Sequence, residues 1–128
     1  MSKVVKYVAR PVRREVFKNG DAEVNLGDRS VFTHDLFVDD EKVGFDGGVC
    51  TVVRLEDGAS YILCNVTMQL PDGTIAFQTF LDEKFPPPPF YTAITGGTGA
   101  YKGASGEMHI DPASPDTHFY TVYLDGTD

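Results

Sequence analysis

Side chains that could exchange a proton near neutral pH are few in this chain: His34, His109 and His118. An imidazole ionises close to neutrality, so His34, if it faces a barrel lumen, could donate or accept a proton, while His109 and His118 fall on the last strands. They show no HxH or HxxxH spacing, and no Cys-x-x-Cys pair exists, so no metal site is expected. Cys50 and Cys64 each fall in a strand-like segment with no cationic neighbour in view. They read as buried thiols of a reducing cytoplasm, with Cys50 shaping a pocket rather than attacking a substrate. Tyr61, Asn65 and Gln78 are polar positions in otherwise strong strands. On an inward face they would orient a bound ligand; on an outward face they would be solvated. Parity alone leaves both readings open.

The glycine-rich run from Ile94 to Glu107 invites comparison with phosphate loops. A dinucleotide loop needs GxGxxG opening a helix, but Gly97 and Gly99 are followed by Lys102 and then by a strand-like segment. A Walker loop needs Gly-Lys, and here the order is Lys102-Gly103. The run therefore reads as a tight crossing where glycine allows close backbone approach. No cofactor is expected. The acidic run Asp39-Asp40-Glu41 lacks calcium-loop spacing and reads as a solvated turn.

The elements that must position these residues are strands. Ile62, Cys64, Val66, Met68 and Leu70 alternate with Tyr61, Leu63, Asn65, Thr67 and Gln69. Pro71-Asp72-Gly73 turns this segment into another over 74–81. Further strands are expected over 3–8 and 13–18, interrupted by Pro11, and over 30–38, 49–55, 90–95, 107–110 and 118–124. Pro86 to Pro89 form a stiff, extended connector. No segment has a helical period. About eight short strands bounded by turns imply antiparallel pairing in a barrel or sandwich. An eight-stranded barrel can hold one small ligand inside.

The chain has 128 residues, which fits one domain over 1–128 with a core of its own. Apolar residues make up 41%, enough to argue against disorder. With 11 basic and 19 acidic residues the formal charge is −8, which disfavours nucleic acid and anionic membrane as partners. No run of 18 apolar residues suggests a membrane span, and Met1 to Val16 lacks the apolar stretch of a secretory signal. A cytoplasmic protein is expected.

Several segments resemble allene oxide cyclases and dirigent proteins, which share a small eight-stranded β-barrel. The glycine run carries the resemblance most specifically. Leu26-Gly27-Asp28 with Val31-Phe32-Thr33-His34-Asp35-Leu36 is similar to the cyclases' second strand. Val43-Gly44 with Gly48-Val49-Cys50-Thr51-Val52-Val53 resembles the next strand, and Asp72-Gly73-Thr74-Ile75 through Gln78 a later hairpin. The matches run in order from Leu26 to Glu107. The resemblance implies a single eight-stranded antiparallel barrel with a ligand-sized lumen. His34 stands where the plant cyclases have a lumen asparagine, Phe32 matches a lumen phenylalanine, and Cys50 a lumen cysteine. The cyclases' Ser-Pro context on the first strand is missing here, where Glu15 lies in different surroundings.

The function this implies is a cofactor-independent cyclase or isomerase, or a stereocontrolling barrel, in bacterial specialised metabolism. Its substrate would be a small hydrophobic, polyketide-like and aromatic intermediate. His34 would be the catalytic group, with Phe32, Cys50, Tyr61, Asn65 and Gln78 lining the substrate pocket. Confinement would contribute through proximity and orientation. The resemblance also implies a homo-oligomer, trimer or dimer. Two alternatives remain: a dirigent-type protein steering monomers made by a partner oxidase, and a passive binding barrel.

Overall fold

In the computed structural model, which describes residues 3–84 and 86–125, eight antiparallel strands close into a barrel. The strands are β1 (Lys3–Phe17), β2 (Arg29–Val38), β3 (Glu41–Glu56), β4 (Ala59–Leu70), β5 (Gly73–Asp82), β6 (Phe90–Gly99), β7 (Gly106–Ser114) and β8 (Thr117–Leu124). Each strand pairs with the next, and β8 pairs back onto β1. Closure leaves no free sheet edge. No helix among the described residues is long and apolar enough to cross a membrane.

Two strands depart from the sequence expectation. The segments on either side of Pro11 form one strand, because the register shifts between Pro11 and Arg13 and the proline sits at that irregularity. A bulge accommodates a residue that cannot donate to the ladder. β3 starts at Glu41 rather than at Val49. Its first half, with Gly44, Gly47 and Gly48, lacks the β-branched density that marks the second. Phe32 explains one of these glycines: a Cβ on Gly48 would lie 2.7 Å from its ring.

The hairpin turns agree with their residues. Asp39 and Asp40 have φ of 50° and 64° between the paired Val38 and Glu41. Positive φ at both central positions is the two-residue turn whose twist matches the strands. Asp tolerates it through local hydrogen bonding.

Inward rows follow from pairing. One row runs His34, Asp46, Met68, Ile75; another runs Phe32, Gly48, Val66, Phe77, Ile94. Leu36, Met68, Ile75, Met108 and Val122 are buried completely or nearly so. At one end the β6–β7 loop tucks Tyr101 and Ala104 against this core. The glycine run makes that crossing possible. A Cβ on Gly97 would lie 2.5 Å from the Tyr101 carbonyl oxygen and 2.6 Å from that of Thr74.

The cysteines correct the expectation of free thiols. Cys50 and Cys64 are direct partners across β3 and β4 and are joined by a disulfide. The two sit 14 residues apart on adjacent strands, and pairing turns both to the same inward face. Cys50 therefore has no thiolate with which to attack a substrate. Nor does the pair read as reduced cytoplasmic thiols.

Candidate active site

The buried polar centre of the barrel is built around Asp46. Its carboxylate is fully buried, a placement that costs several kcal/mol unless donors replace water. Three donors do so. Asp46 Oδ1 accepts the His34 backbone N–H at 2.8 Å and faces His34 Nδ1 at 2.8 Å. Asp46 Oδ2 accepts the Tyr120 hydroxyl at 2.9 Å. Thr33 Oγ1 donates to the Asp46 carbonyl oxygen at 2.5 Å. The side chain of Asp46 thus caps a β2 backbone donor while orienting the imidazole on the same strand.

That geometry selects a tautomer. With Asp46 Oδ1 as the acceptor, the contact puts an N–H on Nδ1, which in the neutral ring leaves the lone pair on Nε2. The arrangement is an oriented imidazole base backed by a buried carboxylate, able to take a proton at Nε2 and return it. Burial, with the Asp46 charge adding to it, raises Tyr120 well above the usual phenol range, so Tyr120 stays a donor.

Aromatic rings surround His34. Phe32 meets it edge-on with centroids 5.5 Å apart, and His118 lies 5.2 Å away. Burial lowers the His118 pKa, the neighbouring His34 lowers it further, and Asp46 and Asp111 oppose the shift. At neutral pH His118 is therefore a neutral second imidazole beside the first.

At the end opposite the Tyr101 plug lies a cavity of about 130 Å³, with Arg14, Ser30, Cys50, Val52 and Ile62 in its wall. Along β2, Ser30 belongs to this wall, Phe32 follows, and His34 lies deeper. The β1–β2 loop forms the rim and is pinned by Asp28. Asp28 accepts the backbone N–H groups of Asn19 at 2.6 Å and Asn25 at 2.8 Å, and pairs with Lys18 at 3.1 Å. These donors, the Asn19 N–H foremost, hold its pKa down at about 2.

The structure brings together His34 and Phe32 in the interior and sets Cys50 in the cavity wall. Tyr61, Asn65 and Gln78 do not join them, which corrects their expected place in the pocket lining. Pairing of Cys50 with Cys64 turns the odd-numbered β4 residues outward. Gln78 Nε2 donates to Asn65 Oδ1 at 2.9 Å on the exposed face, and Tyr61 stacks on Phe80 with centroids 5.9 Å apart. Sequence reasoning missed Asp46, Tyr120 and His118. Asp46 has the parity of Gly48, Cys50 and Val52, so extending the expected β3 by three residues would have pointed it inward. His118 and Tyr120 share the parity of Val122 on β8.

The family model for the allene oxide cyclase barrel-like domain matches residues 13–124. Among solved structures, a pyocyanin demethylase superimposes with a TM-score of 0.84 at 27% identity, covering 94% of this chain and 99% of that one. AbnU, an exo-specific intermolecular Diels-Alderase, superimposes with a TM-score of 0.80 at 18% identity, covering 98% of this chain and 99% of that one. The Diels-Alderase AbmU from Streptomyces koyangensis gives a TM-score of 0.74 at 12% identity, covering 97% of this chain and 69% of that one. The last two likenesses speak to the fold alone. With the family model spanning nearly the whole barrel, this chain belongs to the allene oxide cyclase barrel-like family.

Proposed function

We propose that this protein is a cyclase- or isomerase-type enzyme of specialised metabolism. It would act on a small hydrophobic, aromatic intermediate, with His34 moving the proton. The observation that carries this reading is the His34 Nδ1–Asp46 Oδ1 contact of 2.8 Å inside the barrel. A buried carboxylate with three donors is a costly construction for packing alone, and it leaves Nε2 as the unengaged end of an oriented base. Phe32 and His118 offer faces for a flat substrate beside that nitrogen. The demethylase and the Diels-Alderases, by their names, transform small molecules, which agrees with this reading. The reading extends to a homo-oligomer, formed through the apolar outer face of β2 to β5.

The test is deletion of the gene in its host, with small molecules profiled by chiral chromatography and mass spectrometry. Complementation uses wild type, His34→Ala and Asp46→Asn. The expected result is an accumulated precursor cleared by wild type, and cleared about 10²–10⁴-fold more slowly by His34→Ala, the usual worth of a general acid–base group. Asp46→Asn should fall in the same direction, because an amide no longer selects the tautomer. Full rescue by both variants would remove the proton-transfer role. An unchanged profile on deletion would remove the enzyme reading.

A further inference from the structure

The rim of the cavity carries a cation that the proton-transfer centre does not use. Arg13, Arg14 and Glu15 are consecutive on β1, and pairing places them on alternate faces. Arg13 and Glu15 lie opposite Thr33 and Val31 on the outer side, where they form an ion pair. Arg14 lies opposite Phe32, on the side that faces the lumen, and lines the cavity. Among the described residues its guanidinium makes no ion pair or hydrogen bond.

The neighbouring charges are mostly committed. Asp28 holds Lys18 and two loop amides. Glu83 accepts the Ser60 hydroxyl at 3.2 Å. Arg29 lies over the Phe17 ring. In the wall, Arg14, Lys18 and Arg29 stand against Glu23, Asp28 and Glu83, a local balance in a chain of net charge −8. An anion repelled elsewhere on this molecule meets no net repulsion here. A guanidinium presents its donors as a planar fork that fits a carboxylate.

Arg14 stands level with Phe32 across the β1–β2 pairing, and His34 lies one inward position deeper on β2. Successive inward positions on a strand are about 7 Å apart. We propose that the lumen takes an acidic aromatic substrate, its anionic group on the Arg14 guanidinium at the mouth, its rings against Phe32 and its reacting end at His34. This inference rests on the proposed small-molecule reading and narrows its substrate class to a fused-ring acid about two rings long. Arg14 is then a binding residue that sets both the charge and the direction of entry.

Two nearly isosteric probes test it: 2-naphthoate, which is anionic, and 2-naphthamide, which is neutral. Affinities are measured by calorimetry on the full chain at low salt, for wild type, Arg14→Gln and Arg14→Lys. Wild type should bind naphthoate about five- to tenfold more tightly than naphthamide, the scale of one charge-assisted contact at a partly solvated rim. Arg14→Gln should erase that preference and leave naphthamide affinity within about twofold. Arg14→Lys should keep part of it, and added salt should narrow it. Equal affinity for the two probes in wild type, or a preference that survives in Arg14→Gln, would overturn the anion site while leaving the small-molecule lumen standing. Binding of neither probe would overturn both.

Discussion

Asp46 is the residue on which the interior depends, since it joins β2, β3 and β8 through one carboxylate. His118 beside it makes the interior sensitive to pH. Its folded pKa lies below the ordinary 6.5, because burial and His34 disfavour the imidazolium. Between that lowered value and 6.5 the unfolded chain binds the extra proton and the folded chain does not. Stability should therefore hold above about pH 6.5 and fall as the pH drops below it. Urea midpoints measured across this range should decline for wild type and decline less for His118→Phe. Equal slopes would show that His118 does not titrate differently on folding. Asp28 acts lower on the scale: its contribution is present above its ordinary 3.8 and is lost as the pH approaches about 2. His34 was legible in the sequence as a candidate through its place on a strand that resembles the cyclases' second. Its carboxylate partner was not, because an Asp between Phe45 and Gly47 reads as a loop until the pairing with His34 is known.

At the scale of elements, the β6–β7 connection sets how one end of the barrel is closed. Tyr101 packs against the core from this loop, and burial, with help from Asp72 and Tyr7, raises its pKa far above the phenol range. Gly97 must let the loop backbone pass. Gly97→Ala should destabilise the fold by about 1–3 kcal/mol, the usual cost of overpacking, since backbone carbonyls meet the added methyl on two sides. A thermal melt of Ala93→Gly, the opposite change at an exposed position of the same strand, gauges strand propensity, which Gly97→Ala raises, so a loss of stability in Gly97→Ala reports the clash. A Gly97→Ala melt unchanged from wild type would show that the loop can lift without cost. Strand existence was readable from alternation for β4, where every second residue from Ile62 to Leu70 is apolar, and for β5 from the Pro71-Asp72-Gly73 turn that precedes it. β3 was read half its length, and β1 was read in two pieces, because glycine and proline mark breaks in one strand as readily as ends of two.

For the whole molecule, closure turns one face of every strand inward and leaves the other to solvent or to a partner. Val31, Val49 and Phe80 are exposed large apolar residues on the outer face of β2, β3 and β5. Val31 is the direct partner of Val49, and Leu63 that of Phe80. A homo-oligomer would cover them, so light scattering should report more than one copy per particle. Phe80→Glu should shift it toward the monomer, because a buried carboxylate facing a second copy would lack a partner. A monomeric wild type would end this part of the reading. Composition and turn spacing were enough to determine an all-β chain, and the glycine run with the flanking strands pointed to the family. These signals are local: alternation, turn residues and short motifs survive without knowing what pairs with what. Which face of β4 lines the lumen, whether Cys50 is a thiol or half of a disulfide, and what holds His34 depend on strand register. Register joins residues as far apart as Asp46 and Tyr120, and only the closed barrel, whose eighth strand returns to the first, decides it.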